Sequence, residues 1–149
     1  GLGTSPAAES GTVATLLRAL VEGVGVPTVV HCCAPDVPVQ LIRSTGAVGV
    51  ALDLSLVTDL DPLGEALDAG LGLLAGAAPT RPPSAGRAPT SAEVADRVRT
   101  LWDRLSFPRA RLAEQVVVTP ACGLAGATPE YARAVLAACR DAGRRLAEE

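Results

Sequence analysis

The sequence of 149 residues predicts an α/β protein made of consecutive βα units, and three observations support this prediction. Apolar runs of strand length alternate with segments of helical periodicity, no antiparallel hairpin signal occurs, and one helix precedes the first strand. Such alternation requires a parallel sheet. Four strands do not close a barrel, so an open doubly wound layer is an alternative. The first helix without its own strand favours the C-terminal half of a (β/α)8 barrel, with residues 1–149 as a single domain.

The first part of the chain predicts a lead-in, a helix and a strand. Residues 1–10 contain Gly, Pro and Ser and form the lead-in. Apolar residues then recur at helical spacing over 13–24, and Ser10 or Thr12 can cap the start of this helix. The β-branched residues 28–30 predict the first strand, covered on both faces as in parallel sheets.

Two further βα steps follow in the middle of the chain. Asp36 can cap a short helix that ends at Gly46. The apolar run 47–53 predicts the second strand, residues 60–69 the next helix, and the run 71–77 the third strand.

The last part of the chain begins with a loop. Residues 79–89 contain four prolines and no run of large apolar residues, which is typical of a mobile surface loop, and this loop lies at the carboxyl edge of the sheet. A long helix opens at Ser91 and a short one at Pro108. The fourth strand covers 116–119, and Thr128 starts a final amphipathic helix.

Two of the predicted strands end in metal-binding side chains. His31 and Cys33 lie two residues apart at the end of the first strand, so their side chains point the same way, and Cys122 follows the fourth strand. Sites in parallel α/β proteins form at the carboxyl edge of the sheet. Two thiolates and an imidazole suit zinc or copper(I), and ligands spread over several strand ends are typical of a catalytic metal. The alternative is a buried core histidine beside small buried thiols.

Three further residues are weaker candidates for metal ligands. Asp53 follows the second strand and could supply an oxygen ligand, although an acid in this position more often caps the next turn. Cys32 points to the opposite face from its neighbours, and Cys139 lies inside the final helix. We assign both of these thiols to packing.

Composition excludes several classes of partner. The net charge of −3 gives no basic surface, so we expect no nucleic-acid partner. No apolar run is long enough to span a membrane. Four cysteines without a recognisable signal peptide are expected to be reduced thiols in the cytoplasm.

The order of these motifs resembles the cobalamin-independent methionine synthases. The zinc domain of that family has a His-X-Cys at one strand end, an acidic residue at the next and a Cys-Gly-Leu after the last strand. The matching positions here are His31-Cys32-Cys33, Asp53 and Pro120-Ala121-Cys122-Gly123-Leu124. The likeness extends over nearly the whole chain. The sequence is most similar to a short, single-barrel relative of the family. The family's acidic ligand is usually glutamate, which is one methylene longer than Asp53.

The resemblance implies a catalytic Zn²⁺ bound by His31, Cys33, Asp53 and Cys122. It implies transfer of a methyl group from 5-methyltetrahydrofolate, or a related donor, to the thiol of homocysteine or another small thiol. The family binds the substrate amino group and part of the folate through earlier strands of its barrel. Nothing in this sequence corresponds to those strands, so we expect the chain alone to be inactive and assign it no further catalytic residue.

Two other readings remain open at the level of sequence. The chain could be a non-catalytic zinc-binding half-barrel that assembles with a second copy or with the missing half, because a half barrel exposes two edge strands and one inner face. It could also be a metal-free barrel like uroporphyrinogen decarboxylase. The His-X-Cys and Cys-Gly-Leu pair is the feature against that third reading.

Overall fold

A single parallel sheet of four strands forms the centre of the molecule. The structure is a computed structural model that describes residues 6–82 and 86–149. The strands are hydrogen-bonded in the order β1-β2-β3-β4, so each lies beside the preceding one, without the reversal of order that marks a doubly wound sheet. The predicted half of a β/α barrel is therefore confirmed. The strands are β1 (Val29–Cys32), β2 (Gly49–Asp53), β3 (Gly72–Ala78) and β4 (Val116–Pro120).

Six α-helices and two short 3₁₀ turns connect and flank the strands in the described part of the chain. The 3₁₀ turns are Leu54–Leu56 and Arg109–Arg111. The α-helices are α1 (Pro6–Val24), α2 (Val39–Ser44), α3 (Asp61–Asp68), α4 (Ser91–Arg104), α5 (Leu112–Gln115) and α6 (Pro129–Leu146). Among them, none combines the length and apolar character needed to cross a membrane.

The two long C-terminal helices begin at strong local signals. The Thr90 hydroxyl accepts from the Glu93 backbone N–H at 3.2 Å, and the Glu93 carboxylate accepts from the Thr90 backbone N–H at 2.7 Å. This capping box satisfies two donors at the start of α4. Thr128 caps α6 by a single bond, in which its hydroxyl accepts from the Tyr131 backbone N–H at 3.3 Å, directly before Pro129. Both starts lie within one residue of the predicted ones.

Two predicted helix starts are wrong. The first helix begins at Pro6, within the stretch predicted to be a lead-in, because a proline in the first turn loses no hydrogen bond and already has a helical φ. Asp36 does not cap α2. It adopts a left-handed φ of 55° three residues before the helix, and Pro38 occupies the cap position without a side-chain bond.

The core lies on one side of the sheet. Val50, Leu52, Leu73 and Ala75 point to this side and are at most 2% exposed. Trp102 of α4 packs there as well, and its indole N–H donates to the Pro108 carbonyl at 3.0 Å. The sequence has few aromatic residues, so Val, Leu and Ala fill most of this core.

The opposite side of the sheet corresponds to the barrel interior, and we call it the inner face. Val29 and His31 of β1 and Val117 of β4 lie on it, and Val117 is 57% exposed. The prediction that the strands are covered on both faces is therefore wrong for the inner face. The helices pack against the other side, and within the described residues only the sheet's own loops and side chains cover this one.

The loop after β3 is held at both of its ends. The Tyr131 hydroxyl lies 3.0 Å from the Pro79 carbonyl oxygen and 2.9 Å from that of Arg81, and Arg87 pairs with Glu93. The centre of the loop, residues 83–85, lies outside the described residues, so the mobility of 79–89 stays a prediction.

Amide exchange will test this mobility. We expect the amides of the loop to exchange much faster than those of β3, and Tyr131→Phe to speed exchange near Arg81 about two- to tenfold, because one hydrogen bond contributes about 0.5–1.5 kcal/mol. Hydrogen exchange followed by mass spectrometry gives both rates. Slow exchange along the whole loop would contradict the prediction.

Candidate metal centre

The strand ends bring three of the predicted ligands together. His31 lies within β1, opposite Ala51 of β2, and Cys33 follows the strand by one residue. The alternation of strand side chains places both on the inner face. Cys122 lies two residues after β4, although β4 is the sheet's other edge. The curvature of the half barrel therefore brings residues from the first and the last strand into contact.

The spacing of the three side chains fits a tetrahedral metal ion. The Cys122 Sγ lies 3.5 Å from the His31 Nε2 and 3.6 Å from the Cys33 Sγ. Zinc bonds of about 2.3 Å to sulfur and about 2.0–2.1 Å to nitrogen give tetrahedral edges of about 3.6 Å between sulfur and nitrogen and about 3.8 Å between sulfurs. Within the described residues, this is the one group of three or more such ligands close enough to bind a single ion.

The three ligands are exposed, which leaves room for a further ligand. The hydrogen bond with Cys122 and the nearby charge that Cys122 would carry raise the pKa of the Cys33 thiol. Two adjacent thiols therefore resist ionising together unless a cation compensates the charge. Sulfur, sulfur and imidazole nitrogen form a donor set that suits zinc and does not suit magnesium or calcium.

Asp53 is the fourth predicted ligand, and the structure does not bring it into this group. Its Oδ1 accepts from the Ser55 backbone N–H at 2.9 Å and from the Ser55 hydroxyl at 2.6 Å, so it caps the 3₁₀ turn Leu54–Leu56. Oδ2 takes part in neither bond. Asp53 still ends β2 opposite Gly76, on the inner face, and its role as a ligand stays a prediction.

Gly76, near the end of β3, is required at the carboxyl edge of the sheet and was not predicted from the sequence. A Cβ atom on Gly76 would lie 2.3 Å from the Leu52 carbonyl oxygen and 2.7 Å from the Ala121 Cα. Both neighbours are backbone atoms and cannot rotate away. Ala121 precedes Cys122, so the bare backbone of Gly76 lets this ligand's segment approach β3. A glycine inside an apolar strand is itself a signal of close backbone approach.

We expect Gly76→Ala to destabilise the fold by about 1–3 kcal/mol and to weaken metal binding as well, because the added methyl group displaces the segment before Cys122. Thermal unfolding and zinc titration will measure the two effects. Gly123→Ala is the matched control, since nothing lies within 4 Å of a Cβ at that position. Equal metal affinity in the two variants would contradict this account of Gly76.

The remaining thiols differ from the ligands in burial. Cys32 is half-buried on the core side of the sheet, opposite Leu52, and Cys139 is buried in α6. Burial raises the pKa of the Cys139 thiol to about 11. Both positions agree with a packing role.

We expect iodoacetamide at pH 8 to modify Cys33 and Cys122 and to spare Cys139. Burial shields the Cys139 thiol from the reagent and, by raising its pKa, keeps it neutral at this pH. The pKa of Cys33 is raised too, which will slow its reaction, but the Cys33 and Cys122 thiols are both exposed to the reagent. Added zinc should protect Cys33 and Cys122 only. Peptide mass spectrometry will measure the modification at each site, and rapid labelling of Cys139 in the folded protein would be the contrary result.

Comparison with known proteins gives one match. The family model described as cobalamin-independent synthase, catalytic domain, matches residues 7–145. Neither the search of curated proteins nor that of solved structures found a match. The matched range includes the three clustered ligands and Asp53, and it supports the synthase reading over the decarboxylase one. The chain therefore belongs to the cobalamin-independent methionine synthase family, within its methyltransferase-type catalytic domain.

Proposed function

We propose that this chain provides the zinc-binding part of an enzyme that transfers a methyl group from 5-methyltetrahydrofolate, or a related donor, to the thiol of homocysteine, forming methionine. One observation supports this most directly. His31, Cys33 and Cys122 lie together on an exposed face, in a chain of this family, and the two distances from Cys122 match the edge lengths of a zinc tetrahedron.

The proposal gives each ligand a role. The imidazole of His31 and the thiolates of Cys33 and Cys122 would hold the ion, and the carboxylate of Asp53 would supply a further oxygen ligand. A zinc ion bound there would lower the pKa of a coordinating thiol, which makes the thiolate available at neutral pH. All four cysteines are free thiols, in keeping with a reducing, cytoplasmic environment.

The proposal also assigns the rest of the active site to another polypeptide segment. In the resemblance described above, groups that hold the substrate amino group and part of the folate come from earlier barrel strands. This chain alone is therefore expected to bind zinc and thiol but not to complete methyl transfer.

Cobalt substitution tests the thiol-binding part of this function directly. Co²⁺ replaces zinc in such sites, and its thiolate charge-transfer band grows when another sulfur joins the ion. We expect homocysteine to increase this band in the cobalt-loaded protein, and homoserine, which has oxygen in place of the sulfur, to leave it unchanged. Tight cobalt binding without any response to homocysteine would favour the non-catalytic module instead.

The assembly of half barrels is a second proposal, and it is compatible with the first. It is supported by the exposed inner face and by α1, whose outer side bears an apolar stripe. The exposed members of this stripe are Val13, Leu16, Leu20 and Val24, at 53–66%. α1 contacts α2, where Arg18 donates to the Ser44 carbonyl at 2.8 Å, and its apolar stripe remains uncovered. We propose that a second copy, or the other half of the barrel, covers these surfaces.

A further inference from the structure

A cavity of about 720 Å³ opens at the carboxyl edge of the sheet, next to the metal centre. The end of β3, the 3₁₀ turn Leu54–Leu56 and one side of α4 form its walls. Ala121 also lines it and directly precedes Cys122 in the chain. A molecule in this cavity would therefore lie beside the segment that carries Cys122.

Three arginines line this cavity, which we call the arginine cavity. Arg97, Thr100 and Arg104 lie at positions i, i+3 and i+7 of α4, so they share one side of the helix. Arg97 and Arg104 are about two turns, or roughly 10 Å, apart along the helix axis. Arg81 comes from the loop after β3, and its guanidinium group lies against Gly126. Charge thus reaches the cavity from two separate elements.

These three arginines form no ion pair with a carboxylate of the described residues. Seven other arginines do form such pairs. Arg18, Arg43 and Arg145 form none either, but they lie outside the cavity and bond to Ser44, Gln40 and Ser91. Arg97 donates one N–H to the Ala77 carbonyl at 2.7 Å, which anchors it to β3 and leaves its other donors available. The contrast is sharpest on α4 itself, where Arg99 pairs with both Asp96 and Glu149.

The charge balance of the arginine cavity favours an anion. Asp53 is the one acid in its lining, and its Oδ1 is already bound to Ser55. Three cations and one carboxylate leave a net charge of about two positive units facing the cavity. Guanidinium groups bind carboxylates and phosphates through paired N–H donors, which is the strongest kind of hydrogen bond available here.

We propose that the arginine cavity binds a small dianion, either an organic dicarboxylate or a phosphate group. Arg104 and Arg81 contact the anionic oxygens from the two sides, and Arg97 contributes from the β3 end. The Thr100 hydroxyl lines the cavity but donates to the Asp96 carbonyl at 2.8 Å, so the arginines supply the donors. The proposal goes beyond the methyl-transfer function and does not depend on a metal, because none of the three arginines is a candidate metal ligand. Asp53 is the one residue of the lining that is.

Isothermal titration of the full chain with glutarate and with inorganic phosphate tests the proposal. We expect saturable binding of at least one of them, weakened about tenfold by Arg104→Gln and by Arg81→Gln, since each removes charge-assisted hydrogen bonds. The anion that binds more tightly will show whether the cavity prefers a dicarboxylate or a phosphate group. Arg133→Gln, an exposed arginine of α6, is the matched control and should leave the affinity unchanged. Circular dichroism will confirm that each variant is folded.

The same titration with a metal chelator present separates this site from the metal centre. Binding that persists under chelation and is lost in the Arg104 and Arg81 variants supports the proposal, whatever the outcome of the cobalt experiment. No saturable binding of either anion, or equal affinity in the arginine variants and the control, would overturn it.

Discussion

Replacing Cys122 with serine is expected to weaken zinc binding by about a hundredfold or more. Zinc-finger peptides bind their ion with about 10–16 kcal/mol shared among four ligands, so losing one thiolate costs roughly 3 kcal/mol. Cys122 is central here because its sulfur contacts both the His31 ring and the Cys33 thiol. Cys33→Ser and His31→Ala are expected to act similarly. Competition with a chromophoric chelator will measure the affinities, and atomic emission the metal content of the purified proteins.

Cys32→Ser is the matched control for these variants. The substitution is identical and adjacent to Cys33, but Cys32 pairs with Leu52 on the core side of the sheet. The zinc affinity of the Cys32→Ser variant should stay within a few-fold of that of the parent protein. A loss of metal in this variant equal to that in Cys33→Ser would mean that the strand register is displaced by one residue. Absence of stoichiometric metal under reducing conditions would argue against the whole centre.

The second large effect concerns assembly. The protein exposes 8413 Å² of surface, about 1,400 Å² more than the roughly 7,000 Å² expected for a compact monomer of 15.0 kDa. This excess is as large as the total area buried in a protein interface of standard size. A second copy related by a two-fold axis along the barrel axis would place β4 of one copy beside β1 of the other, parallel to it, and close eight strands. We therefore expect a dimer in sedimentation at tens of micromolar.

Charged substitutions test which surfaces make the contact. Leu16→Glu on α1 and Val117→Asp on the inner face each put a charge where the dimer would bury an apolar side chain, so both should shift the protein to monomer. Leu136→Glu on α6 is the matched control, because Leu136 is 52% exposed yet lies on neither surface. A well-folded parent monomer at this concentration would refute the assembly.

The sequence was sufficient to predict the sheet and the proximity of three of the four candidate ligands. Strand ends are readable because β-branched runs stop at a proline or a polar residue, and parallel strands bring their ends to one edge. The two-residue period then places His31 and Cys33 on the same side, and a separate strand supplies Cys122. Each of these inferences follows from backbone geometry alone, with no knowledge of side-chain conformation.

Features that depend on side-chain conformation or on curvature were not predictable in this way. Whether Asp53 faces a metal or caps its own turn depends on one χ1 rotation and on the serine two residues later. The arginine cavity joins Arg81 with two residues of α4, and no local pattern distinguishes these arginines from the paired ones. The strand pattern indicated cover on both faces, and the exposed inner face was expected only from the half-barrel topology.

The metal centre joins the two edges of the sheet, and this affects how the chain folds. Cys33 and Cys122 are 89 residues apart, so an unfolded chain would have to close a loop of that length, at a cost of about 4 kcal/mol, before both sulfurs could reach one ion. The ion therefore binds the native state in strong preference to the denatured ensemble. By mass action, zinc that binds only the native state would stabilise the fold by an amount that rises with the ratio of free zinc to its dissociation constant. Bound zinc would thus hold the two edges of the sheet together, and its occupancy would report how much of the population is folded.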